Sequence, residues 1–381
     1  MRTLLYAVVL VVSAGVTFGV SALVWRLSKR YRLTPRIRER DVHTNPTPRL
    51  GGIAMFLGMA VAMVAAMVIG VFVPSFGLVF AEPNAIVGLA LASLIVVIVG
   101  VADDIWDLDW TLKLAAQILA AGVLAWQGIQ LYTLPIGGQT IVSPWISLVA
   151  TIVAVVLVMN AVNFIDGLDG LVAGVAVISG GVFFVYAYLL QTQAQTEYFN
   201  LATLATVVLV GACLGFLPLN FHPAKLFMGD SGSMLVGLMM AASTISITGR
   251  IDSGIAERDD VFSAYFAPAF IPLLLPLAVL AIPLLDFALA VIRRVVAGKS
   301  PFSADRKHLH HRLLDMGHTH LGAVLILYMW TFLAAVGVLM FMFVSWYIAV
   351  GALVGAAIVC VVLTVLPLTR SRRESRKAEL E

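Results

Sequence analysis

An all-α, polytopic membrane protein is the fold class this sequence predicts, and three observations carry that prediction. Of 381 residues, 61% are hydrophobic and 12% charged, with a mean hydropathy of +1.00. That charged share is about half the level of a soluble domain. Apolar segments recur along the whole chain, and a spanning helix needs about 20 such residues, within a range of about 17–25. The charges fall almost entirely in the gaps between those segments.

Taken in order, eleven segments meet or approach the spanning length: 4–25, 50–73, 85–101, 112–127, 145–160, 170–190, 201–219, 231–248, 264–292, 322–344 and 346–367. The third, fourth and fifth are near or below the lower limit. The first is too long for a cleavable signal, and its positive charge follows it rather than preceding it. Pro268, Pro272, Pro276 and Pro283 predict a bent or broken ninth segment, because proline lacks the N–H and clashes with the preceding turn. Residues 1–369 therefore read as one integral membrane domain and 370–381 as a basic tail, with no internal repeat or low-complexity stretch. Cys213 and Cys360 both lie inside apolar segments, which supports neither a disulfide framework nor a thiolate metal site.

Charge bias fixes the orientation. With the N-terminus outside and the C-terminus cytoplasmic, Arg2, Arg250 and Arg258 are the only basic residues outside, of 24 in all. Membrane proteins keep Lys and Arg in their cytoplasmic loops. The net charge is only +3 and the basic residues flank membrane segments, so they read as topology determinants and contacts for anionic headgroups. A nucleic-acid surface is not indicated. All three acidic islands then face the cytoplasm.

The first island is "VADDIWDLDW". Continued as helix, it puts Asp103 and Asp107 on one face, with Asp104 beside them. Carboxylates sharing one site repel, and a cation or a proton relieves them; a solvated acidic loop is the plainer reading. The second island is "MNAVNFIDGLDGL". Asn160, Asn163, Asp166 and Asp169 follow a three-residue step, and Gly167 and Gly170 let backbone approach a ligand. Amides and carboxylates together suit a nucleoside or sugar, and capping of the next helix by Asp169 accounts for only one of the four.

In the third island, Asn220, Lys225 and Phe227 precede "MGDSGS", and Asp230 or Ser231 opens the eighth segment. A helix N-terminus attracts phosphate, and a carboxylate there can hold a divalent cation that bridges to it. A fourth constellation, "KSPFSADRKHLHHRLLDMG", sets His308, His310 and His311 among Arg306, Lys307 and Arg312. Three neighbouring histidines without a thiolate do not easily close a zinc tetrahedron, and the cations around them favour phosphate. Asp286 lies seven residues inside the ninth segment. A carboxylate in that setting is functional by default, although the sequence does not name its partner.

Five motifs, "PRLGG", "ADDIWD", "NAVNFIDGLDGL", "KLFMGDSGS" and "ADRKHLHHRL", occur in the order found in the polyprenyl-phosphate N-acetylhexosamine-1-phosphate transferases. The resemblance runs from about residue 41 to 321. That glycosyltransferase 4 family includes the lipid I synthases and the WecA-type enzymes that start polysaccharide chains, and the chain resembles the second branch more. The resemblance implies transfer of N-acetylglucosamine-1-phosphate from UDP-N-acetylglucosamine to undecaprenyl or decaprenyl phosphate, with release of UMP. It implies magnesium as cofactor, with manganese as a substitute, a site at the cytoplasmic face of a bacterial plasma membrane, and a homodimer as one assembly open to the protein.

By motif, Asp103 and Asp104 match the catalytic aspartate pair and Asp230 the metal ligand. Asn160, Asp166, Asp169, Asn220 and Phe227 match the nucleoside pocket, Phe227 stacking on uracil. Asn163 and Lys225 lie within the same motifs. His310 and His311 match the cationic loop near the diphosphate, with His308, Arg306 and Arg294 as further basic groups there. Arg49 stands where the lipid I branch usually has threonine, which turns the expectation away from a pentapeptide-bearing substrate. A lipid I synthase is the alternative within the family. A secondary transporter is the alternative outside it, since broken helices and intramembrane charges occur there too. Transporter sites, however, lie near the bilayer midplane, and here the acids share one side.

Overall fold

Proline, glycine and aspartate set the helix ends in this chain. The computed structural model describes residues 2–31, 47–80, 82–132, 143–194, 200–248, 271–298 and 308–378, and every regular element among them is helical. In chain order these are α1 (Arg2–Tyr31), α2 (Gly51–Phe72), α3 (Pro74–Gly77), α4 (Pro83–Trp106), α5 (Trp110–Trp126), α6 (Pro144–Ile165), α7 (Leu171–Ala194), α8 (Asn200–Asn220) and α9 (Gly229–Thr248). After them come α10 (Ile271–Val279), α11 (Ala281–Val296), α12 (Leu309–Asp315), α13 (His320–Met340) and α14 (Trp346–Ala378). Helices α4 and α6 open on proline, whose missing N–H costs nothing in a first turn. Helix α5 opens on Asp109, whose side chain accepts the Thr111 N–H.

Among the described residues, nine helices are long and apolar enough to cross a membrane: α1, α2, α4, α6, α7, α8, α9, α13 and α14. The expected count of eleven differs at two places. Helix α5 is apolar but only 17 residues long. The proline-rich ninth segment is broken, as its prolines predict: α10 stops at Val279, Leu280 breaks the helix, and Pro283 falls in the first turn of α11. The remainder of that segment, with Pro268, lies outside the described residues. The protein is thus a polytopic all-α membrane protein.

Helices α8 and α9 form its centre, with 83% and 89% of their spanning windows buried, whereas α14 lies at the rim with 11%. Helix α1 packs on α2 and α8 through a buried stripe of Ser13, Thr17 and Ser21. Small residues permit such close helix contact in lipid, and the Ser13 hydroxyl donates to the Val208 carbonyl at 2.7 Å. Exposed tryptophans mark both ends of the bundle, Trp106 and Trp110 at one and Trp126, Trp145 and Trp346 at the other. Tryptophan gathers at membrane–water interfaces. The ends of α4, α6, α8 and α11 and the starts of α2, α5, α9 and α12 meet at the first of these ends.

Candidate active site

At the start of α9 a carboxylate from α4 supplies the cap. Asp104 Oδ1 accepts the Asp230 N–H at 2.8 Å, and Oδ2 accepts the Ser231 N–H at 3.2 Å and the Ser231 hydroxyl at 2.8 Å. The first N–H groups of any helix need such partners. Gly229 makes the approach feasible: it holds φ +72°, and a Cβ there would collide with the Asp104 carboxylate. Backbone bonds from Gly51 N–H to the Phe227 carbonyl and from Gly52 N–H to the Met228 carbonyl, both 3.0 Å, tie α2 to the same corner.

Asp103, one residue earlier, turns the other way. Its Oδ1 accepts the Leu108 N–H at 2.8 Å, and its Oδ2 stands 3.1 Å from the Lys113 ammonium. Lys113 also reaches Asp230 Oδ2 at 3.4 Å, so one cation bridges the two carboxylates. Asn163 donates to Asp230 Oδ1 at 3.2 Å and to the Ser233 hydroxyl at 2.8 Å. Asp103 is buried while the Asp230 side chain is 33% exposed; Asp230 is therefore the carboxylate a solute reaches first. The donor set is all oxygen, which suits a hard divalent cation rather than zinc. The shared face expected for Asp103 and Asp107 does not form. Helix α4 ends at Trp106, and Asp107 adopts a left-handed conformation with φ 54°.

The three-residue step of the second island also ends early, because α6 stops at Ile165 and Asp166 is its C-cap. Asn160 is committed to packing, donating to Gln117 Oε1 at 2.7 Å and to the Val156 carbonyl at 2.8 Å. Asp169 accepts from the Ala224 N–H at 3.0 Å and pairs with His222 Nδ1 at 2.8 Å. Asn220 accepts the Gly170 N–H and donates to the Leu226 carbonyl, each at 3.1 Å. Asp169 and Asn220 thus clamp the α6–α7 loop to the segment leading into α9. Asp169, His222 and His320 each bring a donor atom within 4.8 Å of the others. Two donors on tetrahedral zinc stand roughly 3.3 Å apart; the 2.8 Å pair is instead a hydrogen bond.

Asp166 is half-buried beside Arg49. Burial pushes its carboxyl up to about 7, with Asp230 and Asp169 adding to the shift and Arg49 opposing it. Phe227 is half-buried, its N–H bonded to the Pro48 carbonyl at 2.8 Å. Lys225 is exposed, with its ammonium 5.6 Å from the ring centre of Trp25 on α1.

The cationic constellation forms the opposite wall. His308 and His310 are buried, their rings nearly parallel with centres 5.8 Å apart, and His311 follows 4.3 Å from His310. Burial, with His311 alongside, holds His310 down at about 3. His310 leans on Gly167, where any Cβ would collide with its ring. Arg294 is buried with its guanidinium 5.5 Å from the ring centre of Phe164. Arg306 lies outside the described residues.

Three participants were missed at the sequence level. Lys113 read only as a topology charge, Ser231 as part of a helix start, and His222 not at all. A lone lysine four residues after the N-cap Asp109 signals nothing by itself; only the folded chain returns it to Asp103.

Fold and site together define a polytopic membrane protein with an acidic, cation-bridged centre at one end of the bundle. The model for glycosyl transferase family 4 matches residues 86–248. Across 371 residues the chain is 39% identical to the decaprenyl-phosphate N-acetylglucosaminephosphotransferase of Mycobacterium leprae, covering 96% of this chain and 91% of that protein. It is 40% identical over 369 residues to the protein of the same name from Mycolicibacterium smegmatis, covering 96% and 89%. It is also 27% identical over 338 residues to a probable undecaprenyl-phosphate N-acetylglucosaminyl 1-phosphate transferase of Bacillus subtilis, covering 88% and 84%. The chain belongs to glycosyl transferase family 4, in the branch of polyprenyl-phosphate N-acetylglucosamine-1-phosphate transferases.

Proposed function

We propose that this protein transfers N-acetylglucosamine-1-phosphate from UDP-N-acetylglucosamine to decaprenyl or undecaprenyl phosphate at the cytoplasmic face of a bacterial plasma membrane. The observation that carries the reading is the 39% identity over 96% of the chain to a mycobacterial decaprenyl-phosphate transferase. A lipid-phosphate oxygen bonds to the sugar-proximal phosphorus of the UDP-sugar, the bond from that phosphorus to UMP breaks, and UMP leaves with the bridging oxygen. Phosphoryl transfer rests on positioning and charge neutralisation.

Asp230 and Asp103 are the residues that would hold magnesium. When bound, the metal neutralises charge on the diphosphate. Lys113 keeps the two carboxylates together and offers a cation to the incoming lipid phosphate. Asn163 fixes the Asp230 side chain. Arg49, Asp166 and Phe227 form the nucleoside side, while His310, His311 and Arg294 face the diphosphate. Direct attack by the lipid phosphate is favoured over a covalent aspartyl intermediate, since both oxygens of Asp104 are occupied and Asp103 is buried against Lys113. The positive-inside bias puts the N-terminus outside and the tail in the cytoplasm.

The test is purified protein with magnesium, decaprenyl or undecaprenyl phosphate and each UDP-sugar in turn, measuring UMP. UDP-N-acetylglucosamine is expected to turn over. Turnover of UDP-N-acetylmuramoyl-pentapeptide alone would move the chain to lipid I synthesis, and substrate uptake into proteoliposomes without UMP would make it a transporter.

A further inference from the structure

Asp286 sits on α11 with none of its surface exposed. A carboxylate buried at that depth is costly unless both oxygens find donors. Here they do: Oδ2 pairs with His308 Nδ1 at 2.9 Å, and Oδ1 accepts the Leu309 N–H at 2.8 Å. Helix α12 needs that second bond. It has seven residues, its N-cap His308 makes no side-chain capping bond, and helices so short do not persist unaided in water.

We propose that Asp286 is the positioning residue of the histidine helix: one carboxylate caps α12 and orients its first histidine, and so sets where His310 and His311 stand. This role rests on the transferase reading, in which those two histidines face the diphosphate.

Three further contacts make the anchor rigid. Phe287, the next residue, stacks on Phe164 with ring centres 5.4 Å apart. Phe164 lies 5.6 Å from His308, and the Arg294 guanidinium lies 5.5 Å from the same Phe164 ring. Helix α11 therefore holds the histidine helix by the hydrogen-bonded acid, while Phe287 and Arg294 fix α11 to Phe164 of α6, which also lies against His308. With Nδ1 engaged by Asp286, only the Nε2 atom of His308 remains to meet another group. The two bonds set the height and rotation of α12 at its first turn, and His310 and His311 fall on that turn.

The experiment compares kcat and KM for UMP release from UDP-N-acetylglucosamine in wild type, Asp286→Asn, Asp286→Glu, His308→Ala and the doubles of each Asp286 variant with His308→Ala, with detergent-solubilised unfolding as a folding control. An amide cannot accept both bonds, so Asp286→Asn is expected to lower kcat about 10–100-fold, the usual scale for loss of an outer-sphere partner, with KM nearly unchanged. Asp286→Glu keeps the charge and recovers part of that loss. The decisive readout is non-additivity: in the His308→Ala background Asp286→Asn, whose remaining oxygen can keep the Leu309 N–H, costs little more. Multiplying losses, or wild-type kcat in Asp286→Asn, overturn the proposal. If Asp286→Asn does not fold, the Asp286→Glu cycle decides in the same way. Absence of UMP release by wild type would instead refute the transferase reading.

Discussion

Asp103 and Asp104 are neighbours in sequence, but the structure gives them different duties, and the substitution Asp104→Asn exposes the difference. In the native protein the Asp104 carboxylate accepts from two backbone N–H groups and one hydroxyl at the start of α9. Asparagine can keep the bond from the Asp230 N–H through its remaining oxygen. Its amide then points at Ser231, whose hydroxyl can rotate to accept but whose N–H cannot. One buried N–H left unmet costs about 1–3 kcal/mol. Losing a negative charge at a helix N-terminus adds about 0.3–1 kcal/mol, up to ~2 when partly buried. The sum is about 1–5 kcal/mol of stability. In Asp103→Asn the Leu108 N–H keeps its acceptor and the lost partner, Lys113, is partly exposed, so the cost is a fraction of that. Both variants are expected to stop UMP release, as is Asp230→Asn. The assay pairs UMP release at saturating magnesium with unfolding in mixed micelles followed by tryptophan fluorescence. If Asp104→Asn unfolds with wild type while Asp103→Asn is the weakened one, the capping argument fails. If all three keep near-normal turnover, the site itself is misplaced.

Other outcomes follow from the same geometry. His310 is held at about 3 against an ordinary value of 6.5, so below pH 6.5 the unfolded chain takes up a proton that the folded chain refuses. Its contribution to stability is intact above pH 6.5 and lost as pH falls towards 3, at about 1.4 kcal/mol per pH unit; His310→Gln should flatten that part of the unfolding profile, and an unchanged slope refutes it. Gly167→Ala drives a methyl into the His310 ring and is expected to lower kcat at least tenfold, roughly the 1.4 kcal/mol that a displaced group costs; normal kinetics would show that His310 has room to move. Phe227→Ala should raise KM for the UDP-sugar by the ~1–3 kcal/mol of a base-stacking contact and leave kcat near wild type, and unchanged KM removes it from the nucleoside side. A cysteine at position 82 should react with an impermeant reagent from outside, and a reporter fused after residue 381 should be cytoplasmic; the reverse labelling inverts the topology.

Much of the fold was legible because the bilayer reads sequence coarsely. Among the described residues, length and hydropathy alone located the nine long apolar helices, and the prolines announced the break at Leu280. The failures were local. Helix α4 ends at Trp106 because Asp107 turns left-handed, so a face extrapolated to Asp107 does not exist. The site was legible as a set of acids and amides, and not as a division of labour. Asn160 turns to Gln117 across a helix–helix contact, and Asp169 and Asn220 bind loops together. Asp104 serves a helix that starts more than a hundred residues later. Such pairings depend on tertiary approach, which no spacing rule encodes. The partner of Asp286 was invisible for the same reason: His308 lies 22 residues further along the chain, and only packing against α11 unites them.

Helix α5 carries Lys113 and is short. Its 17 residues rise about 26 Å at 1.5 Å each, against a hydrocarbon layer of about 30 Å. Tryptophans at both its ends, Trp110 and Trp126, are exposed and hold it to the two interfaces. Lipid beside a span that is too short is compressed. Helix α5 would cross that layer only where the bilayer thins around it, and such thinning would bring headgroups towards Lys113 in its first turns. Under the proposed transferase activity, turnover is then expected to vary with the thickness of the host bilayer, which reconstitution in lipids of different chain length measures.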